Sequence, residues 1–305
     1  LKYLVSLIFI LCSSVSLAKE TISIVYGWTP ADSAANYSRT LVKEANELQD
    51  KYQFIFDTKS GAGGSIVANH ALNTPNVIAA HSTAFFVRPN FYPNESYDFG
   101  KFKELMPQCA APMAVSSMKY KSWKEVPRDK PLTIATSGLG VTTHLIAEQI
   151  RKTYPNITVV PYKSTSDGIL AVMSEQVDMA VSFVSEAEPW TKDNKTGKVS
   201  NIIGVTGPNK VKNYPLMINI GFPEIFARIV NTSHLVIPEK MDSAKAKEIN
   251  AILMKAATKK SVLDAYAVDF CKPSTIKYEQ NDQFFSSNLI LWRELSQGIK
   301  LEGSK

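Results

Sequence analysis

The sequence predicts an α/β protein of two lobes with a ligand cleft between them. Its length of 305 residues suits about two domains of roughly 150 residues each. A strand, loop and helix alternation starts near Thr21, restarts after Pro127, and gives way to a helix-rich final third. Such alternation argues for parallel sheets covered by helices. In open sheets of this kind a ligand sits outside the carboxyl ends of the strands, so function is expected in the loops that follow them.

The first element is a leader. Residues 1–18, LKYLVSLIFILCSSVSLA, carry one cation at Lys2, an apolar core from Tyr3 to Cys12, and a small-x-small ending at Ser16-Leu17-Ala18. A signal peptidase accepts that pattern. The apolar run falls short of the ~20 residues a bilayer span needs. Leu11 is too bulky for the residue before a lipoprotein cysteine, which sets Cys12 aside. The mature protein is expected to begin near Lys19, exported to the periplasm.

Next come the elements of the first α/β series. Thr21 to Tyr26 alternates and is β-rich, a strand. After a polar loop from Gly27 to Ala35, Tyr37, Leu41, Val42, Ala45 and Leu48 recur at helical spacing, giving a helix to about Lys51. Phe54 to Phe56 is a strand, Ser65 to Leu72 a helix, and Asn76 to Ala80 a strand. The second series runs strand Leu132–Thr136, helix Thr142–Thr153, strand Ile157–Pro161 and helix Thr165–Ser174. It continues with strand Asp178–Phe183, a helix at Glu186–Lys192 and strand Asn201–Val205. A further β-like run, Ser233–Ile237, precedes helices at Ser243–Thr258, Ser261–Tyr266 and Lys277–Gly298. The expected division is 1–18 leader, 19–120 first part of lobe 1, 121–224 lobe 2, and 225–305 a return to lobe 1.

Composition narrows the function classes. With 45% hydrophobic and 20% charged residues, the chain is neither disordered nor fibrous. The net charge of +6 falls to +5 once Lys2 is removed with the leader. The surplus is scattered without a block of like charges, so nucleic acid is not an expected partner while a small anion is compatible.

Two loops stand out. Ser60-Gly61-Ala62-Gly63-Gly64-Ser65 lies between a strand and a helix, where glycines let backbone approach a ligand and helix N–H groups point at an anion. The same loop also serves as a tight turn with no ligand. It is not a P-loop, because no Gly-Lys-Ser/Thr follows. Ser137-Gly138-Leu139-Gly140-Val141-Thr142-Thr143-His144 supplies hydroxyls and another helix start. Neutral donors of this kind hold a carboxylate without a full charge partner. One of the threonines is also a natural N-cap, and His144 a natural packing residue. Further strand ends repeat the theme with Trp28 and Thr29, Ser82 and Thr83, Tyr162, Lys163 and Ser164, and Ser182.

Catalytic signals are thin. There is no G-x-S-x-G elbow, and the histidines at 70, 81, 144 and 234 show no zinc-ligand spacing. No cofactor is expected, and the chain reads as a binding protein rather than an enzyme. Without Cys12, Cys109 and Cys271 remain as a pair in an oxidising compartment, open to either a disulfide or two buried thiols.

The ordered series FDTKSGAGGS at 56–65, ATSGLGVTTHL at 135–145, VPYKS at 160–164, QVD at 176–178, GVT at 204–206 and Pro238 resembles the receptors of tripartite tricarboxylate transporters. These are the TctC-like or Bug proteins. The resemblance implies a two-lobed periplasmic-binding-protein fold, type II-like, closing on a small organic carboxylate. It also implies delivery to the two membrane permease subunits of such a transporter, with the receptor a monomer. The same architecture feeding a two-component sensor is the alternative. Carried over by motif, Gly63, Gly64, Ser65, Ser137, Thr142, Thr143, Tyr162, Lys163 and Ser164 become cleft residues, joined from the loop after the first strand by Trp28, Thr29 and Ser33. That loop departs from the family: it lacks a Gly pair, and Pro30 stiffens it. Its Asp32 belongs to solvent by default; facing a cleft, it would disfavour a second carboxylate or recruit an ammonium group.

Overall fold

The computed structural model describes residues 18–30, 32–94, 97–192 and 197–299. The expected leader lies outside them, apart from Ala18.

The chain opens with β1 (Glu20–Tyr26), α1 (Ser33–Glu47), β2 (Tyr52–Thr58), α2 (Ser65–Asn73), β3 (Val77–Ser82) and the short α3 (Ala84–Val87). β1 lies between β2 and β3, parallel to both, and runs in register with β2 from Glu20 opposite Tyr52 to Tyr26 opposite Thr58. Its inner residues Ile22, Ile24 and Val25 are buried, as a central strand demands. α1 buries Tyr37, Leu41 and Ala45, one stripe at helical spacing, against the C-terminal helices.

Two strands without a counterpart in the sequence reading follow, β4 (Phe102–Ala111) and β5 (Met113–Ser117). Pro107 obscures β4, because proline cannot donate to a ladder. The strand tolerates it at an irregularity: Cys109 pairs with Ser233 and Pro107 with His234, leaving Gln108 as an extra residue. β5 belongs to the second sheet, so the chain passes from one sheet to the other at Pro112.

The second series is β6 (Leu132–Thr136), α4 (Thr142–Thr153), β7 (Ile157–Pro161), α5 (Thr165–Met173), β8 (Met179–Phe183), α6 (Val184–Ala187) and β9 (Asn201–Val205). The helix expected over Glu186–Lys192 is instead α6 followed by a 3-10 turn at Glu188–Thr191, with Pro189 near its start. The chain returns through α7 (Ile225–Arg228) to β10 (Asn231–Pro238), then α8 (Ser243–Ala257), α9 (Lys260–Val268), β11 (Lys272–Pro273) and α10 (Asn281–Ser296).

Two sheets result. One orders its strands β11-β4-β10-β3-β1-β2, the other β7-β6-β8-β5-β9. Neither is the purely parallel sheet that the alternation predicted. β10 runs antiparallel to β3 and β4, and β5 antiparallel to β8 and β9, because these strands enter by crossing between sheets. Cys109 and Cys271 form a disulfide, tying the segment at β11 to β4. That resolves the two open readings of the cysteine pair.

Candidate functional site

The carboxyl ends of β1, β3, β6, β7 and β8 converge on one cleft. Tyr26, Trp28, Thr29, Asp32 and Ala34 line it from the end of β1 and the start of α1. Ser82 and Ala84 come from the end of β3, and Ser137, Val141, Thr142 and Thr143 from the loop between β6 and α4. Lys163, Ser164 and Thr165 follow β7, while Phe183 and Glu186 follow β8. Met113 and Asn231 complete the wall from the two crossings between sheets. The cleft is narrow, with a cavity volume of about 70 Å³, and is partly open to solvent.

One wall offers neutral donors. Val141, the residue that precedes α4, has no side-chain oxygen to cap the first turn, so the leading N–H groups of the helix are left uncapped by it. Ser137 donates its backbone N–H to Thr143 Oγ1 at 2.9 Å, and the two hydroxyls also lie 2.9 Å apart. Thr142 Oγ1 donates to Asn231 Oδ1 at 3.4 Å. Ser164 caps α5 by accepting the Asp167 N–H at 3.1 Å.

The facing wall is acidic. Thr29 donates to Asp32 at 2.8 Å and the Tyr26 hydroxyl reaches the other oxygen at 3.4 Å. Burial nevertheless raises the Asp32 carboxyl above its usual range, outweighing those hydrogen bonds. Glu186 is pushed up to about 7, by burial first and then by the carboxylates of Asp32 and Asp269, against a hydrogen bond from Thr165. Its Oε2 is buried without a hydrogen-bond partner among the described residues.

Over residues 41–300 the chain matches TctC, the tripartite tricarboxylate transporter family receptor. The chain belongs to this family. No curated protein matches it in sequence. Among solved structures it is similar to the periplasmic binding protein BugD, at 17% identity and a TM-score of 0.78, over 91% of this chain and 97% of that one. MatC from Rhodopseudomonas palustris, solved with bound malate, aligns at 16% identity and a TM-score of 0.77, over 91% and 99% of the two chains. An R. palustris protein solved with adipate aligns at the same identity and TM-score, over 91% and 96%. The two-lobed periplasmic-binding-protein fold predicted from sequence is thereby the fold observed.

Receptors of the TctC family are periplasmic, and no helix among the described residues is long and apolar enough to cross a membrane. Nor does any cluster of three or more potential metal ligands occur among them.

In this TctC-family chain the cleft brings together Trp28, Thr29, Ser82, Ser137, Thr142, Thr143, Lys163 and Ser164 from the sequence-predicted set. Ser33 begins α1 beside them. Tyr162 lines an adjoining groove instead. Three further residues serve packing. Ser182 is buried in β8, its hydroxyl donating to the Phe183 carbonyl at 3.2 Å. Thr83 is tied into the crossing at β10, accepting the Thr232 N–H at 2.7 Å. His144 is buried beside Glu148 at 3.7 Å and edge-on to Phe91, with its pKa pushed down to about 4, chiefly by burial.

The glycine loop at 61–64 also turns out to be a packing feature. A Cβ on Gly64 would lie 2.1 Å from His81 Nε2, and one on Gly63 would lie 2.8 Å from Arg88 Cδ. These glycines, at φ +92° and +56°, let His81 and Arg88 pack against backbone. Ser65 is buried at the start of α2 and is not part of the cleft wall.

Residues missed by sequence reasoning form the acidic side and the crossings: Tyr26, Glu186, Asn231, Met113 and Phe183. Asp32, which the sequence alone places in solvent by default, lines the cleft as well. Thr165 alone carried a signal, since it follows the VPYKS motif directly.

Proposed function

We propose that this TctC-family receptor captures a small organic carboxylate in the cleft and delivers it to the permease subunits of a tripartite transporter. The observation that supports it most is the wall of unspent donors at the α4 start, with Ser137, Thr142 and Thr143 beside it. Helix N–H groups and hydroxyls stabilise a carboxylate, and their preorganisation avoids an ordering cost on binding. The malate and adipate in the two R. palustris proteins agree with that chemistry.

The two lobes are residues 19–111 with 231–299, and residues 113–205. They are joined at Pro112 and through the segment 206–230, and closure about those two connections shields the ligand from water. Ligand binding to the closed form alone draws the population toward it, without a chemical step.

A thermal-shift screen of di- and tricarboxylates, aromatic acids and acidic amino acids tests this reading. Ligand at 100 times its Kd adds about 2.7 kcal/mol. Folded protein that no organic acid stabilises would overturn it.

A further inference from the structure

We propose that the chain holds a second ligand site outside the cleft, behind the two connections between the lobes. Its ligand is a small amphipathic anion, an aromatic or acyl body with one acidic head. This site stands apart from the reading of the cleft as a carboxylate receptor.

A cavity of about 510 Å³ lies there, within the size range of small-molecule sites. It shares no lining residue with the cleft. Instead the two cavities use neighbouring residues of the same two connections. Pro112 and Val230 line the second cavity, while Met113 and Asn231, one position on, line the cleft. Thr206 lines the second cavity and holds Met113 by two hydrogen bonds. It donates its N–H to the Met113 carbonyl at 2.8 Å, and its hydroxyl accepts the Met113 N–H at 3.0 Å. The cavity is thus framed by paired backbone at the connections.

Its interior is apolar and its surroundings are cationic. Val211, Val230, Phe270 and the disulfide-bonded Cys271 supply apolar surface, and Lys210, Lys212 and Lys272 stand around it. No Asp or Glu lines the cavity. Asp269, next to Phe270 in the chain, is buried and accepts the Ser185 hydroxyl at 2.6 Å. Lys212 pairs with Glu188 and lies 5.1 Å from the centre of the Phe270 ring. Lys210 and Lys272 are exposed, with no ion-pair partner among the described residues. An anionic head placed between them gains their attraction, while the body of the ligand buries apolar surface below. A cation would meet like charge. Phe270 and Lys212 also hold φ of +52° and +48°, conformations that non-glycine residues seldom take. Strain of this kind gathers at ligand sites, and here it falls where the two side chains meet.

The test is fluorescence titration of the full-length folded protein with anilinonaphthalene sulfonate and with phenylnaphthylamine, which has the same rings and no sulfonate. The sulfonate should bind one to one and at least tenfold tighter than the neutral amine. Ala267→Trp, at an exposed position of α9 that lines the cavity, should weaken both probes at least tenfold by filling the space. Lys210→Glu combined with Lys272→Glu should weaken the sulfonate at least tenfold and leave the neutral amine unchanged. Both lysines are exposed, so this variant decides the matter if the Ala267 variant folds poorly. No binding of the sulfonate, or equal binding by the parent and both variants, overturns the site. Displacement of the sulfonate by excess succinate, with neither variant having any effect, places the probe in the cleft and overturns the site as well. Equal affinity for the two probes overturns the anionic assignment.

Discussion

Thr143 Oγ1 accepts the backbone N–H of Ser137 at 2.9 Å while its hydroxyl also touches the Ser137 hydroxyl at 2.9 Å. A single threonine thus closes the loop that leads into α4 and sets the orientation of the serine beside it. The two hydroxyls, alike in sequence, hold different duties. Thr143 supports the loop, while Ser137 keeps capacity for a ligand.

Substitution should separate them. Ser137→Ala should weaken carboxylate binding by about tenfold, the worth of one hydrogen bond to a charged group, with little change in Tm. Thr143→Ala should weaken binding too, and lower stability by about 1–2 kcal/mol because it strands the Ser137 N–H. Calorimetry with chemical denaturation reads both. Unchanged affinity in both variants would remove this loop from the site.

Gly64→Ala should be the most damaging single change in the glycine loop. Alanine there needs a φ near +92° and places its Cβ 2.1 Å from His81 Nε2. Strain and repacking together should cost more than about 2 kcal/mol. Gly63→Ala should cost less, because the clashing Arg88 side chain is flexible. Denaturation curves would contradict this account if Gly64→Ala proved as stable as the parent.

The contrast between these loops shows what was legible in the sequence. Strand ends and helix starts at Ser137, Thr142 and Ser164 declared themselves through local pattern, and they line the cleft. The glycine run at 61–64 read equally as ligand cradle or tight turn, since both need backbone without a Cβ. Only the positions of His81 and Arg88 decide between them, and those are tertiary facts. β4 and β5 escaped notice because Pro107 and Pro112 interrupt their pattern, although buried Leu105, Met106 and Val115 lie within it. Asn231 and Glu186 carry no local signal at all. They enter the cleft because the chain crosses between sheets at one and turns sharply after β8 at the other.

The Cys109–Cys271 bridge closes a loop spanning 162 residues. Replacing both cysteines by serine should lower stability by about 2–5 kcal/mol, as loss of a native disulfide in a folded domain does. The unreduced, denatured protein after removal of residues 1–18 should show no reactive thiol. Two reactive thiols, or a serine variant of unchanged stability, would contradict the bridge.

Glu186 predicts a pH dependence of stability. Its carboxyl titrates near 7 in the folded chain and near 4.5 when unfolded. The unfolded chain therefore loses this proton first, and the group's contribution declines as pH rises from about 4.5 through 7. His81 and His144 act in the opposite direction. Their pKa values are held down to about 3 and 4 in the fold, so they destabilise as pH falls below 6.5. The difference between Glu186→Gln and the parent cancels both histidines. It retains Asp32 from α1, Asp269 after α9, Tyr26 of β1, Thr165 of α5 and the cleft lysine Lys163 as the groups facing Glu186. Glutamine imitates the neutral acid, so the variant's advantage should grow with pH across that window, by between about 1 and 3 kcal/mol, and level off above it. Urea denaturation at half-unit pH steps measures this difference. A flat difference from pH 4.5 to 8 would mean that Glu186 is not held protonated by its surroundings.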